Sequence, residues 1–90
     1  MEITEEILAK LPEDRQDLEI MEYGTIVGNI FYTISSDSKQ NVYKVDIYEY
    51  RPRYGDLVLH LIHNKRYTTS QAASHYVEIL KAEKESLFQL

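Results

Sequence analysis

Three histidines, fifteen carboxylates and ten lysines and arginines are the side chains with the means to do chemistry, and their spacing decides which chemistry is open. His60 and His63 stand three apart in an alternating apolar stretch, so they are expected on opposite faces of a strand. Joint metal ligation by the pair would require a bend between them. His75 falls on the outward side of a helical pattern. No HExxH, glycine-rich phosphate loop or GxSxG occurs, and the three glycines are scattered. No two carboxylates are expected side by side in a cleft, as acid–base catalysis needs. No catalytic residue, metal site or cofactor is assigned, and the chain is expected not to be an enzyme.

Basic and aromatic side chains interleave in the middle of the chain. Arg51, Arg53, Lys65 and Arg66 lie near Tyr48, Tyr50, Tyr54 and Tyr67. Lysine and arginine can neutralise phosphates while tyrosines stack on bases, so these four cations are the candidates for nucleic-acid binding. In a meander, however, Arg51 and Arg53 should sit at one end of the sheet and Lys65 and Arg66 at the other, with Lys39 at the latter end. The overall net charge of −5 also disfavours a nucleic-acid partner.

That charge is unevenly spread. Residues 1–38 hold two basic and nine acidic side chains, whereas residues 39–66 hold six basic and three acidic. Glu13, Asp14, Asp17, Glu19 and Glu22 form the acidic segment, which would steer the chain towards a basic partner protein, such as one that processes nucleic acid. The absence of cysteine excludes disulfides, thiol catalysis and Cys-ligated zinc, and suits a reducing cytoplasm. No apolar run approaches the roughly 18 residues of a membrane span, and the N-terminus lacks the layout of a signal peptide.

The elements that must position these groups follow from periodicity. Ninety residues make one domain with a modest core. Residues 1–17 read as a short acidic helix and a connection: Thr4 caps, Ile3 staples onto Leu8, and Pro12 stops the helix. Residues 18–66 read as an antiparallel sheet. Leu18 to Tyr23 fits either a strand or one helical turn. Thr25 to Ser35 alternates as one strand, with Gly28 marking a bulge or a close approach. Asn41 to Arg51 and Leu57 to His63 alternate likewise. Residues 67–90 read as a helix capped by Thr68 with Gln71, or by Thr69. Its stripe is Ala73, Tyr76, Val77, Leu80 and Leu87, with Ala72 and Ile79 along one margin.

The expected fold is therefore α+β in two layers, a three-stranded antiparallel meander of order α-β-β-β-α. The terminal helix should cover Ile30, Tyr32, Ile34, Tyr43, Val45, Ile47, Leu57, Leu59 and Leu61. The other face would carry Phe31, Lys44, Asp46, Tyr48, Tyr50, Val58, His60 and Ile62, and a two-turn N-terminal helix is expected to leave it partly open. The element order is similar to that of double-stranded-RNA-binding domains, and the three strands with their following helix look like integrase arm-binding domains. The basic KKxAK run that opens the second helix of the RNA-binding family is absent; Thr69-Ser70-Gln71-Ala72-Ala73 stands there, and no residue role is carried over.

These features make a protein-binding module the leading expectation, acting as a regulator, inhibitor or assembly factor. Phe31, Tyr48 and Tyr50 would be its anchors, because aromatics dominate interface energetics, and the acidic segment would orient it. Homodimerisation through an edge strand or the second face is a further expectation. Nucleic-acid binding through the basic loop residues is the alternative.

Overall fold

The computed structural model describes residues 3–53 and 56–83, without the side chains of 52, 53, 56 and 57. Arg53 as a phosphate contact, Tyr54 beside it, and Leu57 and Leu87 as core residues thus lie outside the described parts. The elements are α1 (Glu5–Leu8), α2 (Glu13–Gln16), β1 (Glu19–Val27), β2 (Ile30–Asp37), β3 (Val42–Arg53), β4 (Asp56–Tyr67) and α3 (Ser70–Ala82). The class is α+β, as the periodicity implies. The sheet, however, is a four-stranded antiparallel meander of order β1-β2-β3-β4, not a three-stranded one. The α-β-β-β-α order, and the likeness to RNA-binding domains drawn from it, is replaced by two short helices, four strands and a long helix.

The additional strand comes from cutting the segment 25–35 in two. Gly28 and Asn29 form a two-residue turn, with Val27 paired to Ile30 across it. Gly28 has φ +54°, and of the two turn residues only it is left-handed. A glycine in the first central position is what one class of tight hairpin turn requires. Alternation runs unbroken through such a turn, so Ile26 to Ile34 mimics one strand. The ambiguous 18–23 segment is resolved by the same hairpin, since from Glu19 onward it belongs to β1.

α3 begins where its cap residues indicate. Thr69 is the cap, its hydroxyl accepting from the Ala72 N–H at 3.1 Å, and Thr68 lies outside. Ala73 and Val77 are fully buried against Ile26, Ile30, Tyr32, Ile34, Val45 and Ile47, and Tyr76 and Leu80 pack at the margin. Ile79, read as part of the buried margin, is instead 42 % exposed.

One irregularity reassigns half of β4. The β3–β4 register runs Ile47 with His63 but Tyr48 with Leu61, leaving Ile62 as an unmatched residue. A bulge of one residue moves every side chain beyond it to the other face. Leu59 and Leu61, expected under α3, therefore share the opposite face with Tyr50 and Tyr48, while Ile62 joins the α3 core. His60 and His63, expected on opposite faces, pair with Glu49 and Ile47 and fall on the same one.

The face expected to stand partly open is covered. Ile7 and Leu11 are buried on Phe31 and Tyr48, with Ile3, Leu8, Ile20, Tyr50, Leu59 and Leu61 packed around them. Pro12 does more than stop α1: it caps α2, a helix within the stretch read as a connection. Gln16 Nε2 ties the two short helices, donating to the carbonyls of Leu11 at 2.8 Å and Ala9 at 3.3 Å.

Gly28→Val should destabilise the fold by about 1–2 kcal/mol, because a β-branched residue must enter a left-handed conformation. In urea this reads as a lower midpoint at unchanged m. A neutral outcome would remove the tight-turn account of the β1–β2 hairpin.

Candidate functional site

The covered face contains a buried polar group as well as a core. Phe31 and Tyr48 stack with ring centroids 5.4 Å apart. Beside them, Thr33 and Asp46 are cross-strand partners, both fully buried. Arg15 reaches in from α2, and its Nε lies 3.0 Å from Asp46 Oδ2, while Nη1 is 2.6 Å from Asp14. Among the described residues, Thr33 Oγ1, Asp46 Oδ1 and Tyr48 OH are buried without a hydrogen-bond partner. Each such group typically forfeits about 1–3 kcal/mol of hydration.

The electrostatics follow from that burial. Asp46 is held above the ordinary carboxylate value, because desolvation outweighs the attraction and hydrogen bond of Arg15 and the attraction of Lys44. Arg15 suffers desolvation too, yet the charge and hydrogen bond of Asp46, with Asp14, raise it further into its charged range. Burial, then the charge of Asp46, pushes the Tyr48 hydroxyl up. Tyr48 thus keeps its hydroxyl proton beside the Arg15–Asp46 ion pair.

The acidic segment is partly assembled by the fold. Asp14, Asp17 and Glu19 meet Asp37, Lys39 and Lys44 around a cavity of about 450 Å³. Asp37 ends β2, at the mouth of the β2–β3 turn. Its Oδ1 accepts from the N–H groups of Lys39 at 3.1 Å and Gln40 at 3.2 Å, and Oδ2 lies 3.3 Å from Lys44. The Gln40 hydrogen bond is the largest of the influences that hold Asp37 below the ordinary carboxylate value. Glu13 is exposed on α2, and Glu22 is drawn elsewhere.

Glu22 belongs to the outer strand, β1. Its Oε2 accepts from the Tyr32 hydroxyl at 3.1 Å, and burial together with this bond pushes Tyr32 up to about 12. The Tyr32 ring crosses Gly24, where a Cβ would lie 3.1 Å from Cε1, and Lys81 of α3 sits 5.2 Å above it. Along β1, Met21 and Tyr23 are 53 % and 49 % exposed. Sequence reasoning passed over both, because the strand itself was undecided; the exposed pair and its acidic neighbours become visible only once β1 is an edge.

The expected docking anchors fare differently. Phe31 and Tyr48 are fully buried beneath the N-terminal helices and Tyr50 is half-buried, so the aromatic face is not an accessible surface. The basic set is divided. Arg51 pairs in register with Val58 and forms an ion pair with Glu49, whereas Lys65 and Arg66 pair with Val45 and Lys44. At roughly 3.3 Å per residue the two groups are about 20 Å apart along β4. Lys65 lies 4.9 Å from the Tyr76 ring centroid. His63 also approaches Tyr76, at 6.0 Å, while His60 and His75 are exposed.

No protein-family model, curated protein or solved structure matches this chain.

Arg15→Ala should destabilise the protein by about 3 kcal/mol, since it leaves Asp46 buried without its partner. Tyr48→Phe should instead be neutral or stabilising, by up to about 1 kcal/mol, because it removes an orphaned hydroxyl. A large loss for Tyr48→Phe in chemical denaturation would show that the hydroxyl is satisfied.

The two carboxylates shape the pH profile in opposite senses. Asp37, lowered from 3.8, adds stability that is lost as pH falls through its folded value. Asp46, raised from 3.8, adds stability present below that value and lost as pH rises through its folded value. Asp46→Asn should therefore remove the decline on the upper side while leaving the acid limb, as read by thermal unfolding across pH.

Proposed function

We propose that this chain is a small protein-binding module, acting as a regulator, inhibitor or assembly factor, and that it docks through the open edge of β1 and its acidic flank. The carrying observation is that Met21 and Tyr23, each about half exposed, stand on a strand whose outer side has no neighbour in the sheet among the described residues. An unpaired edge offers a row of backbone donors and acceptors to an extended segment of another chain. Apolar side chains beside that row add affinity, and Asp14, Asp17, Glu19 and Glu22 favour a partner strand with basic residues. The unmatched residues Met21 and Ile26 bound a regular stretch, Glu22 to Thr25, which limits what can pair.

The aromatic face supports this role from beneath rather than at the contact. Phe31 and Tyr48 anchor the N-terminal helices, and those helices carry Asp14 and Asp17 to the side of β1. Nucleic-acid binding has less support, because Arg51 is neutralised by Glu49 and stands far from Lys65 and Arg66.

The test compares partner capture from lysate by the unaltered chain, by Met21→Lys/Tyr23→Lys, and by Val58→Lys, which alters an exposed apolar residue on the far strand. The β1 variant should lose the captured protein, and the β4 variant should retain it. Equal retention by all three would exclude the β1 edge as the docking site. Retention of DNA or RNA, weakening steeply with salt, would favour the basic residues instead.

A further inference from the structure

Among the described residues both outer strands of the sheet lack a second neighbour, and the cross-strand register aligns them. Glu22 of β1 is opposite Ile34, Ile34 is opposite Val45, and Val45 is opposite Lys65 of β4. One straight row thus crosses the whole sheet, with a carboxylate at one edge and an ammonium at the other. The rows beside it begin with Tyr23 and Gly24 and end with Asn64 and His63.

An even number of strands makes these two edges fit each other. In a four-stranded antiparallel meander β1 and β4 run in opposite directions. A second copy displaced sideways along the rows therefore presents its β1 antiparallel to β4 of the first. Antiparallel pairs alternate between hydrogen-bonded and non-hydrogen-bonded along each row. Four strands per copy keep that alternation in phase across the junction. The displacement also keeps α3 on the same side of the continued sheet, so apolar faces stay aligned.

We infer that the β1 edge takes as its partner the β4 edge of a second copy of this chain, joined antiparallel with Lys65 of one copy facing Glu22 of the next. The inference rests on the β1 docking reading and names the partner for it. Charge selects this pairing. Glu19 and Glu22 flank the β1 side, and Lys65 and Arg66 are exposed on β4 at the same end of the sheet. The regular stretches coincide as well. Between the irregularities at Met21 and Ile26 on β1 and beyond the one at Ile62 on β4, three rows are regular at both edges: Glu22 with Lys65, Tyr23 with Asn64 and Gly24 with His63. A contact of so few rows is weak and reversible. Because unlike edges meet, each added copy leaves the same two edges free, and growth does not close at a dimer.

Sedimentation of the full chain tests the assembly, at about 0.02 M and about 0.3 M salt, between which the screening length falls several-fold. The average mass should rise past that of a dimer with concentration at low salt and fall back at high salt. Glu22→Lys and Lys65→Glu should each weaken association about tenfold or more, because like charges then face each other. Mixing the two variants, or joining both changes in one chain, restores opposite charges and should restore assembly, which damage to the fold would not do. Glu22 also holds the Tyr32 hydroxyl, so if Glu22→Lys fails to fold, Lys65→Glu and the salt dependence decide.

A chain that stays monomeric at low salt at every concentration overturns the inference. So does association indifferent to Lys65→Glu, which means β1 on β1, or indifferent to Glu22→Lys, which means β4 on β4. Growth that stops at a dimer overturns it as well. Lysate capture lost with Met21→Lys/Tyr23→Lys yet unchanged by Lys65→Glu, in a chain that does not self-associate, leaves the β1 docking site standing and removes the second copy as its occupant.

Discussion

Two central strands whose middle residues are enclosed on both faces constrain everything else in this protein. β2 is buried on both faces along nearly its whole length, and β3 from Lys44 to Tyr48 is equally enclosed. A sheet wet on one side needs one covering layer; this one needs two. α3 supplies the first through Ala73 and Val77. The second is made from both ends of a short segment, where Ile7, Leu11 and Arg15 close over Phe31, Tyr48 and Asp46. A helix of four residues has little stability of its own, so α1 and α2 are helical because the sheet beneath gives their apolar edge a surface.

The polar group under that cover is the weak point of the packing. Taking an aspartate and an arginine out of water is offset only when their geometry is good and their remaining atoms are satisfied. Here Arg15 Nε lies within hydrogen-bond distance of one Asp46 oxygen, but among the described residues the second Asp46 oxygen and two neighbouring hydroxyls are left without partners. The pair thus contributes position more than stability: it directs α2 across the sheet and brings Asp14 and Asp17 beside Glu19. The acidic corner next to the β1 edge exists because a buried aspartate on β3 holds an arginine from a helix 31 residues earlier.

The outer strands show the opposite balance. Charged residues and unmatched positions on an edge discourage indiscriminate strand pairing. β1 and β4 carry both, yet their charges are of opposite sign and sit at the same end of the sheet. Features that limit association in general therefore permit one geometry in particular. Met21 and Tyr23 add apolar area there without the breadth of a permanent interface, consistent with reversible docking.

By itself, the sequence determined what depends on neighbours within a few residues. The α+β class, a helix begun at Thr68 or Thr69, the alternation through Tyr43, Val45 and Ile47, and the acidic front with its basic middle are all legible there. Periodicity does not reveal where a strand turns back when the turn is only Gly28-Asn29 and alternation continues through it. Nor does it reveal the unmatched Ile62, which moved Leu59 and Leu61 to the other face, or the cover of Ile7 and Leu11 that puts Phe31, Tyr48 and Tyr50 into a second core. Only the tertiary structure decided these points, together with the reach of Arg15 to Asp46 and the row that joins Glu22 to Lys65. Register is settled by closing hydrogen bonds and packing both faces across all four strands at once, a balance no single segment contains.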